Sequence, residues 1–129
     1  MLEAQRIESG DIVIAYTGYV GPRTETDVPT SISLTYEAAE YLANIPVRAF
    51  GTDAFSVDSL TDQTPVNSDS EATRTFPVHY PFLTRGIPTY EQLLNLERLI
   101  GKERMYFVGA PLNIKGGDGM LVRPVVLLY

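Results

Sequence analysis

No cysteine occurs anywhere in the 129 residues, which removes disulfide bridges, thiolate metal sites and cysteine nucleophiles together. The redox compartment stays open on that count, and a cytoplasmic location is the default expectation. Basic residues are scarce too: 10 Lys and Arg stand against 16 Asp and Glu, for a formal net charge of −6. Nucleic acid and anionic membrane surfaces reward clustered Lys and Arg, so neither is expected as a partner. Long apolar runs are missing as well. The run Val125–Tyr129 is far too short to cross a bilayer, and Met1-Leu-Glu-Ala-Gln-Arg6 is too polar to read as a secretory signal. Histidine is nearly absent. His79 is the single one.

What remains is ordinary globular material, 44% hydrophobic and 20% charged. It reads as a single domain over residues 1–129, long enough to bury a core without staples. Asp11–Tyr16 is a short apolar, β-branched run that predicts a buried strand. Gly18–Thr30 reads as loop. Thr35 is placed to cap a helix with Glu37 in its first turn, and Ala38, Tyr41, Leu42 and Ile45 recur at helical spacing. Pro46 ends that pattern, and Val47–Phe50 follows as a strand. Helix, tight turn and strand make an α/β alternation.

Further along, Ser59–Ser70 has little to bury and predicts a long solvated loop. Pro77 and Pro81 frame His79 in a segment, Phe76–Phe82, that reads as extended rather than helical. Thr89-Tyr-Glu-Gln92 fits a capping box, with Leu93, Leu96, Leu99 and Ile100 as the buried face of a second helix and Gly101 as its stop. Met105–Val108 and Leu121–Leu128 are two more predicted strands, the second interrupted by Pro124 and so edge-like or bulged there. The expectation is an α/β fold, a mixed sheet with about two helices.

Candidate chemistry is concentrated in few residues. His79 and Glu91 supply nitrogen and oxygen donors twelve positions apart, a combination that suits zinc or manganese. A lone histidine packed on neighbouring aromatics and a carboxylate favoured in a first helical turn explain the same residues without any ligand. Asp53, Ser56 and Asp58 follow the strand after the first helix, where loops in α/β sheets usually carry sites. They are candidates to line a substrate pocket, and turn formation by Asp and Ser explains them equally. Lys115-Gly-Gly-Asp-Gly119 has neither P-loop nor dinucleotide-fingerprint spacing, and backbone freedom between two strands accounts for it.

Three stretches in order resemble the cyclase family of metal-dependent hydrolases, related to bacterial kynurenine formamidase and isatin hydrolase. They are Gly51-Thr-Asp-Ala-Phe-Ser-Val-Asp58, then His79 through Gly86-Ile-Pro-x-x-Glu91-x-Leu-x-Asn-Leu96. The last runs from Gly101 through Tyr106-Phe-Val-Gly-x-Pro-Leu112 to Gly116-Gly-Asp-Gly119 and Val122-Arg-Pro124. The resemblance spans nearly all of the chain. It implies a swivelling β/β/α-type fold and metal-dependent hydrolysis of aryl formamides or small cyclic amides on zinc or manganese, as in tryptophan catabolism. It also implies that His79 and Glu91 are metal ligands.

One departure matters. The family's principal signature, His-x-Gly-Thr-His-x-Asp-x-Pro-x-His, has no counterpart here. Gly51-Thr52-Asp53 echoes it without a flanking histidine. The chain therefore resembles the C-terminal half of such a hydrolase, with only part of the metal site. A second chain carrying the N-terminal half is one expected partner, a small amide the expected substrate, and a homo-oligomer the expected assembly. The alternative is a non-catalytic cyclase-like domain acting as a binding or oligomerisation module, because strands left without their usual neighbours present open edges.

Overall fold

The computed structural model describes residues 6–19, 32–59, 75–102 and 104–128. Of the loops expected at Gly18–Thr30 and Ser59–Ser70, residues 20–30 and 60–70 lie outside the described residues. The chain divides into two compact units, residues 1–99 and 100–129.

The first unit is built on a parallel sheet. Its strands are β1 (Ile12–Ala15), β2 (Ala49–Thr52) and β3 (Thr89–Tyr90), in the order β1-β2-β3. Ile12 pairs with Ala49 and Ala15 with Thr52 on one side of β2, and Phe50 with Thr89 and Gly51 with Tyr90 on the other. The central strand is fully buried, whereas β1, at the edge, is half-buried along its length rather than buried as expected. Gly51 sits where the sheet is tightest: a Cβ there would come within 2.7 Å of Ile14 Cδ1 and 2.9 Å of Leu93 Cδ1. Only glycine leaves both side chains where they lie.

Helix α1 (Tyr36–Asn44) begins as its sequence predicts, with the Thr35 hydroxyl accepting from Ala38 N–H at 3.3 Å and Glu37 in the first turn. Its buried stripe differs. Ala39, Leu42 and Ala43 face the core, while Tyr41 is 65% exposed. The small side chains at positions 39 and 43 let the helix approach closely, and the bulky tyrosine points away.

Helix α2 (His79–Leu83) replaces the extended segment expected at Phe76–Phe82. Proline is excluded from a helix interior because it lacks an N–H, but the first turn leaves those N–H groups unbonded anyway. Pro81 stands in that turn, so the helix loses nothing to it. Phe82 is fully buried and stacks on Phe50 of β2, with centroids 5.4 Å apart and planes 9° from parallel. The core gathers Ala39, Leu42, Ala43, Val47, Phe50, Val57, Val78, Phe82 and Ile87. On the surface Arg85 joins α1 to α2 through two bonds to Glu40, at 3.3 and 3.1 Å.

The second predicted helix is absent. Thr89-Tyr90 is β3, and Gln92 and Asn95 take left-handed backbone conformations, with φ of 55° and 64°, that no α-helix passes through. A short 3-10 turn, Leu96–Leu99, is what remains of it. Leu93 and Leu96 are nonetheless buried, while Ile100 is exposed. The apolar spacing served the core without a helix.

The second unit is an antiparallel pair, β4 (Tyr106–Val108) and β5 (Val125–Leu127), with Tyr106 opposite Leu127 and Val108 opposite Val125. Strand β5 starts immediately after Pro124, which cannot donate to a ladder, so it is shorter than the predicted Leu121–Leu128. The glycine-rich segment 115–119 lies between these strands and turns through a Gly117 N–H bond to Ile114 C=O at 3.1 Å. Among the described residues no helix is long and apolar enough to cross a membrane.

Candidate functional site

Three parallel strands release their chains at one end of the sheet, and the candidate residues collect there. Asp53 follows β2 directly, and Glu91 follows β3 directly. Backbone bonds tie these exits together: Gln92 N–H donates to Ala54 C=O and Leu93 N–H to Thr52 C=O, each at 3.0 Å. Glu91 therefore leaves a strand, not the first turn of a helix, and no helix dipole accounts for its position.

His79 stands between two carboxylates. Its Nδ1 lies 2.5 Å from Asp58 Oδ2 and its Nε2 lies 3.3 Å from Glu91 Oε1. Each partner is itself held. Val78 N–H donates to Asp58 Oδ1 at 2.6 Å. Val57 N–H and the Ser56 hydroxyl donate to Glu91 Oε1 at 2.7 and 3.1 Å. Ser56 Oγ in turn accepts from Asp58 N–H at 3.3 Å. Phe82, three positions after His79 on α2, locks that helix onto the sheet, and Phe76 meets the imidazole edge-on with centroids 6.4 Å apart.

The electrostatics follow from this arrangement. The hydrogen bond to Asp58 and then that to Glu91 raise the His79 pKa from 6.5 to about 9, against a smaller opposing effect of burial. Burial pushes the Glu91 carboxyl up, but the His79 ring, Val57 N–H and the Ser56 hydroxyl outweigh it and leave the group below its ordinary value.

Asp53 is engaged elsewhere. Its Oδ1 accepts from Thr17 N–H at 2.7 Å and the Thr17 hydroxyl at 2.8 Å, and its Oδ2 from Gly18 and Tyr19 N–H at 2.8 and 3.0 Å. The positive φ of Gly18, 77°, turns consecutive amides toward one carboxylate, as in an anion-binding nest. Burial raises the Asp53 pKa, and these donors, Thr17 first, bring it below the ordinary value. Asp53 thus fastens the exit of β1 to the exit of β2. The structure brings Ser56, Asp58, His79 and Glu91 into one hydrogen-bonded group and commits Asp53 to the loop Thr17–Tyr19. That loop, and the amides of Val57 and Val78, escaped the sequence reading because backbone donors leave no residue-type signature.

The donor set is suited to a divalent cation as far as it goes. A ring nitrogen and a carboxylate oxygen face each other, and the far side of the ring is held by a second carboxylate, the usual outer support of a metal-bound histidine. Among the described residues no group of three or more His, Cys, Asp or Glu is arranged to hold a metal ion.

A parallel α/β sheet with its polar side chains gathered at the carboxyl ends of the strands is the class of fold defined here. The Cyclase family model, described as "Putative cyclase", matches residues 1–59, a segment that contains Asp53, Ser56 and Asp58. Two solved structures are similar to the chain. One is described as a potential metal-dependent hydrolase with cyclase activity, with TM-score 0.62 and 24% identity, covering 93% of this chain and 52% of that one. The other is described as a predicted metal-dependent hydrolase from Bacillus stearothermophilus, with TM-score 0.61 and 23% identity, covering 93% and 51%. No curated protein matches. The chain shares the fold of these two structures over 93% of its residues, and it spans about half of their length.

Proposed function

We propose that this chain supplies His79 and Glu91 to the metal site of a metal-dependent amide hydrolase acting on aryl formamides or small cyclic amides. The observation that carries this reading is the 3.3 Å approach of His79 Nε2 to Glu91 Oε1 at the carboxyl ends of the strands. The fold it shares with proteins described as metal-dependent hydrolases supports it. Nitrogen and oxygen donors suit zinc or manganese.

The protein's own groups divide the work. Val57 N–H and Ser56 hold the Glu91 carboxylate in place, and α2 carries His79 to it. When bound, the metal would supply Lewis acidity toward a carbonyl oxygen and lower the pKa of a water. A catalytic zinc usually takes three protein ligands, so two from this chain leave the site incomplete. The remaining ligands and an acid–base histidine are proposed to come from a second segment or chain bearing the His-rich family signature, with a homo-oligomer as the assembly.

Metal content by elemental analysis, on protein isolated under native conditions with any co-purifying chain, tests this reading. Zinc or manganese is expected in the wild type and lost in both His79→Ala and Glu91→Gln. Retention of metal by His79→Ala, or a metal-free wild type in the presence of the His-rich partner, overturns it.

A second reading is favoured by one observation. Tyr106, Val108, Val125 and Leu127 occupy one face of the β4–β5 pair, since directly opposed residues and next-but-one neighbours share a face, and all are exposed. Such a face suits a chain that acts as a binding or oligomerisation module, with a second copy of itself as the occupant.

A further inference from the structure

Asp58 is the one residue of the group whose two oxygens have different duties. Oδ1 is taken by Val78 N–H at 2.6 Å, and Oδ2 faces His79 Nδ1 at 2.5 Å. The backbone bond to Oδ1 keeps Oδ2 facing the ring, and an ionised carboxylate oxygen can only accept. A ring nitrogen facing an ionised carboxylate at that distance carries the proton. When the imidazole is neutral its remaining nitrogen, Nε2, then has only a lone pair, and that lone pair faces Glu91 Oε1 across 3.3 Å. Two electron-pair donors set against each other are stable around a cation and poorly matched without one. The competing tautomer, with the proton on Nε2 toward Glu91, would give up the shorter bond for the longer.

We infer that Asp58 is the positioning residue of His79: anchored by Val78 N–H, it holds the proton of the neutral ring on Nδ1, so that whenever the ring is neutral its Nε2 lone pair faces Glu91. The inference rests on the reading of His79 as a metal ligand for its purpose, but its geometry stands without the metal. It also explains the order of the segments. Asp58 follows β2 and Val78 immediately precedes α2, so the same bond that sets the carboxylate also sets the start of the helix that carries the imidazole.

Substitution by asparagine discriminates sharply. In Asp58→Asn the carbonyl oxygen is kept by Val78 N–H, because the opposite orientation would set an amide donor against a backbone donor. The side-chain NH2 then faces Nδ1, which must become an acceptor, and the ring proton moves to Nε2. The fold is preserved while the lone pair is pointed the wrong way, the logic by which an Asp-to-Asn change leaves a histidine in place but in the wrong tautomer.

Because His79 is the single histidine, long-range 1H–15N spectra of the ring report on it without ambiguity. They are recorded on the full chain with the ring neutral, above its pKa of about 9, for the wild type, Asp58→Asn and Asp58→Ala. The wild type is expected as the Nδ1–H tautomer and both variants as predominantly Nε2–H. Wild-type protein in the Nε2–H form, or folded variants that keep Nδ1–H, overturn the inference. Should Asp58→Ala unfold, Asp58→Asn still decides. A titration with Zn2+ alone separates this result from the metal reading. If His79 is a ligand, Nε2 of the wild type shifts on addition and Asp58→Asn binds about 10–100-fold more weakly. An Nδ1–H tautomer with no response of Nε2 to Zn2+ would sink the metal reading and leave the positioning role intact.

Discussion

At the scale of single residues, the imidazole of His79 is the most consequential group, since Asp58 and Glu91 on its two sides favour its charged form. A raised pKa means that its contribution to stability is fully present below 6.5, the unfolded value, and disappears as pH rises through about 9. Glu91, shifted the other way, contributes above its ordinary 4.5 and loses that contribution as pH falls through its lower folded value. The combined stabilisation is therefore greatest between 4.5 and 6.5. Urea midpoints measured at pH 6.5 and again above pH 9 are expected to fall in the wild type. In His79→Gln the same interval should show a much flatter response, and an equal fall would remove the imidazole from the account. Ser56 and Asp58 were readable as candidates because polar side chains after a predicted strand are conspicuous, and His79 and Glu91 because a ring nitrogen and a carboxylate oxygen are metal-donor types. The amides of Val57 and Val78, which aim two of them, were not.

Among elements, α2 decides the geometry of the site. Five residues make a helix too short to persist on its own, so its place depends on Phe82 stacked on Phe50 in the core. Phe82→Ala is expected to cost about 3–5 kcal/mol, as for other fully buried aromatic truncations. It should also release His79 from Asp58, visible as loss of the distinctive ring nitrogen shifts. A variant equally unstable but with the His79–Asp58 bond intact would show that the ring is held by Val78 and its neighbours rather than by the helix. The same element was invisible to a proline-based reading, because that rule concerns helix interiors and Pro81 falls in a first turn. At Thr89–Gln92 the reverse holds, and a helix-like sequence forms a strand. The capping-box pattern is local, whereas Thr89 and Tyr90 are claimed by pairing with Phe50 and Gly51 of β2, a partner some forty positions earlier.

For the whole molecule, the governing fact is that the chain spans about half the length of the structures sharing its fold. Its two units differ in what they bury. The first unit buries a core against a parallel sheet, while Val108, Val125 and Leu127 of the β4–β5 pair are exposed. If that face joins two copies, sedimentation of the wild type should show a dimer or larger assembly, and Val108→Lys should shift it toward monomer without changing helix content. A monomeric wild type over the whole accessible concentration range would dismiss self-association as the use of the face.

Composition and short-range pattern by themselves determined the net acidity, the α/β alternation, the capped start of α1 at Thr35 and the chemical types available to a site. They did so because charge, capping and helical spacing are properties of residues within a turn or two of each other. Only the tertiary structure decided that Glu91 leaves a strand, that Asp53 binds the loop Thr17–Tyr19, and that Asp58 meets His79 across 21 positions. Those outcomes depend on strand pairing and core burial, which weigh distant segments against one another. The local signals at Thr89 and Pro81 yielded because a buried β2 and a buried Phe82 stabilised the alternatives more.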